Sequence, residues 1–335
     1  MESHAVDRDN ASEEARVLPL ALFAVEHNSK KRLLFDVSSG NIRGITSALF
    51  PDAFVEFESC GWLLMVRHKP FHFQEQVVFL VHPSTGRRID MPVLRSPDKC
   101  YFVFYADPRG APLVVACIQI MSVVPTVHVA CPGDVYWCVH KHTCQLHLSE
   151  AMCRPSTLSV MDMALVGTRA VCAEFLGQIL IFDITEMTWR AASCPEWSIQ
   201  DAHYLVASVG KVVIVSCPRA SAFKFLQLDM EALAWSPLDD QELEDTSWFL
   251  PQGQSIRVKE EDRNKVYTFH PRGRGNLETE SSDGWTITSG PATLKTITNI
   301  YAYDLVAGTV ETVIPASIFT EVSCWVRPST FATPK

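Results

Sequence analysis

Five segments of this chain share one design: an apolar strand, a polar hinge, then a short second strand. They are RLLFDVSSGNI (32–42), VVFLVHPSTGRRI (77–89), ILIFDITEMTWRA (179–191), FKFLQLDMEALAW (223–235) and NIYAYDLVAGTVETV (299–313). The hinges fall at Asp36, His82, Asp183, Asp229 and Asp304, where Asp or His-Pro opens a tight turn that Gly completes in 38–40 and 84–86. His82 follows Asp36 by 46 residues, and Asp229 follows Asp183 by 46 again. The 101 residues between His82 and Asp183 leave room for one further unit, supplied by CPGDVYWCVH (131–140) with its Pro132-Gly133 turn. The interval of 75 residues from Asp229 to Asp304 departs from the period, and it holds a polar insert from Pro271 to Gly284 between strands of one unit.

Strand repeats of roughly 40–50 residues are the signature of a β-propeller, whose blades are four-stranded antiparallel sheets. The expectation is therefore all-β, a single propeller over residues 17–330 with six blades. Five blades are read at 52–92, 100–140, 158–191, 201–237 and 246–313. The sixth takes three strands near 20–26, 32–37 and 41–46 and borrows its fourth from the C-terminal strand at 318–326, which closes the ring and removes free sheet edges. A seventh blade arises only if residues 265–270 seed their own unit; two unrelated β-sandwiches are the alternative architecture. The absence of a WD dipeptide and of any Gly-Gly pair excludes the standard WD40 and kelch signatures.

Composition fits an ordinary soluble domain, with 47 % hydrophobic and 20 % charged residues. A net charge of −9, with acidic clusters at 239–245 and 260–262, argues against nucleic acid. The 11 cysteines are scattered without framework spacing, and the acidic, polar start lacks the character of a secretory or transit peptide. Reduced thiols in a cytoplasmic or nuclear protein follow. No Asp, Glu, Lys or Arg occurs between Ala111 and Pro132, but two short buried strands with a turn near Pro125 account for that run without a membrane span.

Several phrases resemble the β-propeller domain of unknown function that follows an F-box in plant F-box proteins. ESCGWLLM (58–65) is similar to that family's GSxxGWLLL strand, and FLVHPSTGRRIDMP (79–92) to its LLNPxTGxxIxLP phrase. CPGD (131–134) with Trp137 resembles its RPGDxxW element; further likenesses fall at 178–183, 264–269 and 324–329. Two departures stand out: His82 where the family has Asn, and Cys60 where it has a small or polar residue. The resemblance implies a protein-interaction module like the substrate-recognition propeller of an F-box ubiquitin-ligase subunit. Residues 1–16 are read as a disordered tail too polar to supply an apolar helix face, so a member without a recognisable F-box is expected, with no direct binding to the Skp-type adaptor.

Catalytic phrases are missing: G-x-S-x-G, G-x4-G-K-[ST], G-x-G-x-x-G and H-E-x-x-H do not occur. Asp134, Asp162, Asp183 and Asp304 are candidate carboxylates for a carbohydrate-active propeller enzyme, the second reading, although Asp at a strand end usually forms a turn. A non-functional gene remnant is the third. WCVHKHTC (137–144) spaces Cys138, His140, His142 and Cys144 along one face of an extended strand, too far apart to share one zinc, so neither metal nor cofactor is expected. Trp197 and Trp248, beside Pro195 and Pro251 in expected loops, are the candidate exposed anchors for an unidentified protein partner on a loop face.

Overall fold

The computed structural model describes residues 18–24, 30–50, 53–69, 72–96, 100–107, 109–119, 121–122, 124–142, 158–174, 177–198, 201–208, 210–217, 222–250, 253–257, 263–269, 300–314 and 321–331. The fold is a six-bladed β-propeller with almost no helix. Blade 1 contains β1 (Leu20–Ala24), β2 (Lys31–Asp36) and β3 (Ile42–Thr46). Blade 2 is built from β4 (Ala53–Ser59), β5 (Trp62–Lys69), β6 (His72–His82) and β7 (Arg87–Asp90), with the two-residue β8 (Leu94–Arg95) continuing its outer edge. In blade 3, β9 (Cys100–Ala106) and β10 (Pro112–Gln119) are followed, after the short β11 (Met121–Ser122), by β12 (Thr126–Ala130) and β13 (Cys138–Lys141). Blade 4 takes β14 (Leu158–Val166), β15 (Arg169–Glu174), β16 (Gln178–Asp183) and β17 (Thr188–Ser193). Blade 5 takes β18 (Ala202–Ser208), β19 (Lys211–Cys217), β20 (Lys224–Asp229) and β21 (Ala234–Pro237). A five-residue helix α1 (Asp240–Glu244) leads into blade 6: β22 (Thr246–Leu250), β23 (Gly253–Arg257), β24 (Lys265–Thr268), β25 (Ile300–Asp304) and β26 (Val310–Ile314). The last strand, β27 (Glu321–Val326), pairs antiparallel with β1 and completes blade 1 as its inner strand.

The sequence pattern within a blade has a direct cause. A middle strand is covered on both faces by neighbouring blades, so it reads as a continuous apolar run: Ile179–Phe182 in β16 and Val212–Val215 in β19 are all buried. An outer strand packs loosely on one face and stays polar, as the exposure of β3, β7 and β21 shows. The core consequently divides into six wedges, one between each pair of consecutive blades, including the pair that joins blade 6 to blade 1. In that closing wedge Trp325 of β27 stacks on Phe269 at 4.6 Å, meets Phe249 edge-on at 5.0 Å and donates its indole N–H to Leu250 O at 3.2 Å. Next to it, the 3₁₀ turn Pro328–Phe331 is pinned to blade 2, because the Thr330 hydroxyl donates to the buried Glu58 carboxylate at 3.0 Å.

Blade 6 departs from the regular pattern. β22 runs parallel to β24, and β23 turns back to pair in parallel with β18, so blades 5 and 6 form one continuous nine-stranded sheet. β24 and β25 are themselves paired, so the polar insert joins neighbouring strands of one blade and residues 265–269 seed no seventh. The insert at 271–284 and the N-terminal tail at 1–16 lie outside the described residues. The uncharged run from Ala111 forms the paired strands β10 and β12; no helix among the described residues is long and apolar enough to cross a membrane.

Candidate interaction surface

Three of the phrases singled out in the sequence meet at the rim between blades 2 and 3. Cys60 and Gly61 both take positive φ, 48° and 78°, the two-residue turn that a tight hairpin favours. That turn delivers Trp62 into the blade 2–3 wedge, 4 % exposed. His82, at the end of β6, meets the Trp62 ring edge-on at 5.1 Å, and a Cβ on Gly61 would lie 3.2 Å from its Nε2. The two departures from the family phrases, Cys60 and His82, thus fall on adjoining turns. The Ser84 hydroxyl lies 2.9 Å from His82 Nδ1, and Arg87, exposed at the start of β7, holds its guanidinium 5.6 Å from the Trp62 ring centroid.

Blade 3 supplies the opposite side. Asp134 Oδ2 accepts the Cys131 backbone N–H at 2.7 Å while Asp134 N–H donates to Cys131 O at 3.1 Å, which closes the CPGD turn. The chain then drops Trp137 into the same wedge as Trp62, its indole N–H donating to Pro92 O at 2.9 Å. The residues lifted above this anchor are apolar and open: Val135 is 84 % and Tyr136 74 % exposed. Val139, 52 % exposed, shares the blade 2 side of β13 with Trp137, since the alternate residue His140 faces Phe182 of blade 4 at 5.4 Å. Leu113, in the β-bulge that opens β10, adds a further exposed apolar side chain at this end. The result is an exposed apolar crest with Trp137 buried beneath it, in the same wedge that holds Trp62. Among the described residues Arg87 has no ion-pair partner.

The candidate carboxylates are otherwise employed. Asp134 closes its turn; Asp304 accepts the Val306 and Ala307 N–H groups at 2.9 and 2.7 Å. Burial acts to raise the Asp183 pKa, but bonds from the Thr185 hydroxyl, the Glu186 and Thr185 N–H groups and Arg169 outweigh it and hold that carboxyl below its usual range. All three belong to turns between the two outermost strands of different blades, away from the inner strands. Asp162 is different. It lies at a bulge in β14, 2 % exposed, and bonds across blades: Oδ2 accepts Leu205 N–H and Oδ1 accepts Met163 N–H, both at 2.8 Å. Burial pushes its pKa up to about 7 against the pull of those two bonds. His142 rests edge-on against Trp189 at 5.2 Å, and Cys144 lies outside the described residues. Among the described residues no group of three or more His, Cys, Asp or Glu is placed to hold a metal ion.

A family model described as KIB1-4 beta-propeller matches residues 34–293. The chain belongs to the KIB1-4 β-propeller family. No curated protein matches the chain significantly. Among solved structures the chain is similar to TolB from Acinetobacter baumannii, with 14 % identity and a TM-score of 0.48 over 92 % of this chain and 65 % of that one. It is also similar to the Cps50 (Swd1) β-propeller domain of Myceliophteria thermophila, with 9 % identity and a TM-score of 0.45 over 88 % of each. Apo AztD from Citrobacter koseri gives 10 % identity and a TM-score of 0.39 over 92 % of this chain and 98 % of the other.

In this KIB1-4 propeller neither candidate tryptophan is an open anchor. Trp248 is fully buried in β22, a strand rather than a loop, tilted against Phe225 at 4.9 Å. The expectation from Pro251 failed because Thr246–Leu250 is an inner strand covered on both sides. Trp197 does lie in a loop, but it is half-buried, stacked on His203 at 3.8 Å with the Gly177 backbone against its ring. A Cβ at Gly177 would come within 2.5 Å of Trp197. Exposed apolar residues of the KIB1-4 propeller include the adjacent Val135 and Tyr136, whose signal in the sequence was two apolar residues between a Pro-Gly-Asp turn and a buried tryptophan.

Proposed function

We propose that this propeller is a protein-interaction module of the kind found as the substrate-recognition part of plant F-box ubiquitin-ligase subunits, acting in the cytoplasm or nucleus. The observation that carries the reading is the exposed pair Val135 and Tyr136, raised on a turn whose neighbour Trp137 is locked into the core. A rigidly based, exposed tyrosine beside aliphatic side chains is the composition of a protein-binding hot spot, and a solvated apolar crest has no gain from being kept open otherwise. The turn-forming bonds of Asp134, Asp183 and Asp304 remove these three as a pair of catalytic acids, which weakens the carbohydrate-enzyme reading.

The test compares the wild type with a Val135→Asp/Tyr136→Asp variant as bait in plant extract, followed by binding of the recovered protein in purified form. A partner recovered by the wild type should be depleted at least about tenfold by the variant, a loss near 1.4 kcal/mol. Equal recovery of every partner would remove this crest from the function. The interaction is proposed to be independent of the Skp-type adaptor, so a titration of the purified chain with adaptor should stay flat; submicromolar association would show ligase attachment through another surface.

A further inference from the structure

We infer that His203 is an acid-operated clasp: while neutral it holds the loop at 195–198 closed with Trp197 packed inward, and on taking up a proton it releases that loop and turns the indole out to water. This goes beyond the reading as an interaction module and stands apart from it. Trp197 is packed between blades 4 and 5 on two surfaces. Its ring stacks on the His203 imidazole, 3.8 Å between centroids and 18° from parallel, and the root of its side chain lies against the Gly177 backbone, where an added Cβ would meet Trp197 Cγ at 2.5 Å. Gly177 belongs to the turn between β15 and β16, at the other end of blade 4 from the turn at 184–187. The released indole therefore emerges on the opposite end of the propeller from the turn between β12 and β13 that carries Val135 and Tyr136.

Hydrogen bonding fixes the form of the ring. Ser198 O lies 2.7 Å from His203 Nε2 and can only accept, so Nε2 carries the proton; Nδ1, 2.8 Å from Ser216 Oγ, is then the acceptor of the Ser216 hydroxyl. The same Ser198 carbonyl takes the Asp201 N–H at 3.2 Å, so one backbone oxygen ties the loop to the approach to β18 and to the ring itself. A second proton would enter at Nδ1, against the hydroxyl that donates to it, and would place a charge on a buried ring. Of the charged groups around it, Asp201 favours that charge, while Lys224, two strands away in the row of His203 and Ser216, is neutralised by Glu196 at 3.2 Å. From blade 4, Cys194 stays a thiol, its pKa raised chiefly by burial, and Glu174 alternates with Ala173 and so faces blade 3. Burial outweighs the Ser198 carbonyl and Asp201 and holds the His203 pKa below its usual value. The closed loop thus binds a proton less readily than the open one: closure is complete above the ordinary histidine value of about 6.5 and is lost as pH falls through the lower value of the closed form. The Glu196–Lys224 pair, half exposed on both sides, contributes little to holding the loop once the ring is charged.

Fluorine NMR of the full-length protein labelled with 5-fluorotryptophan decides this, the Trp197 resonance being assigned by its loss in Trp197→Phe. Between about pH 7.5 and about pH 5, either side of the ordinary histidine value, that resonance should move towards free 5-fluorotryptophan and gain its solvent isotope shift in D2O, while the resonance of the buried Trp248 gains none. The midpoint should lie below the ordinary histidine value. His203→Gln, whose amide can still donate to Ser198 O but takes up no proton, should show a Trp197 resonance that does not change with pH. Asp201→Asn, which leaves the ring and its bonds in place, should move the midpoint to lower pH. A Trp197 resonance that gains no isotope shift down to the acid limit of folding would mean that the loop stays shut over a charged ring, and a wild-type pH response in both variants would assign the release to another group; either result overturns the clasp.

Discussion

Asp162 shows how a residue can resemble a catalytic acid and serve the architecture instead. Its two carboxylate oxygens take backbone N–H groups from its own blade and from the next, while Cys172, Tyr101 and Tyr204 surround it closely enough that its charge helps raise their pKa values, secondary to their burial. Its pKa of about 7 in the fold exceeds the ~3.9 of an unfolded chain, so between these values the native state holds a proton that the unfolded state has released. The stability this provides is complete below about pH 4 and is lost as pH rises through 7. Wild-type urea midpoints should fall more steeply from pH 5 to 8 than those of Asp162→Asn, which carries no titrating group there. Parallel pH profiles for the two proteins would show that Asp162 is ionised throughout, its N–H bonds outweighing its burial.

The turn between the two outermost strands of a blade, opened by an Asp or His hinge, repeats in five of the six blades. Its fifth residue takes a left-handed conformation each time: Gly40 at φ 69°, Gly86 at 68° and Gly308 at 65°, but Met187 at 55° and Leu233 at 53°. At Gly40, Gly86 and Gly308 the N–H donates back to the hinge carbonyl at 2.9–3.0 Å. An L-residue there costs about 1–2 kcal/mol. Met187 is 39 % exposed and has little packing to lose, so Met187→Gly should stabilise the protein by about 1 kcal/mol in urea denaturation, whereas glycine in an ordinary strand would destabilise it. An unchanged or lowered midpoint would mean that Met187 packs more tightly than its exposure indicates.

At the scale of the molecule, stability depends on closing the ring. β27 is an inner strand, and Trp325 and Val326, with Cys324, fill the two wedges on either side of blade 1. Ending the chain after Pro315 would leave β1 without its inner partner, expose Phe23, Phe249 and Phe269 to water, and release the Thr330–Glu58 bond. Loss of a buried tryptophan alone costs about 3–5 kcal/mol, a large share of a domain's stability. The truncated chain should be insoluble or molten by near-ultraviolet circular dichroism. If it melted like the intact protein, the other five wedges would be sufficient and closure merely peripheral.

The repeat of apolar strand, Asp or His hinge and polar outer strand is a local code, and it specified the blade boundaries, the closing strand and the role of most aspartates. A middle strand must be apolar on both faces and an outer strand need not be, so burial across a blade is written directly into the order of residues. What the code leaves open is which wedge a side chain enters. Trp62 and Trp137, 75 residues apart, share one core, while Trp248, beside a proline, lies wholly inside. The reversed pairing of β22 and β23 was equally illegible, because either strand direction satisfies the same apolar pattern. Those outcomes depend on contacts between blades that meet only when the ring closes, and the physical reason is that hydrophobic burial is non-directional: the sequence determined which residues must be covered, and only the tertiary structure decided by what.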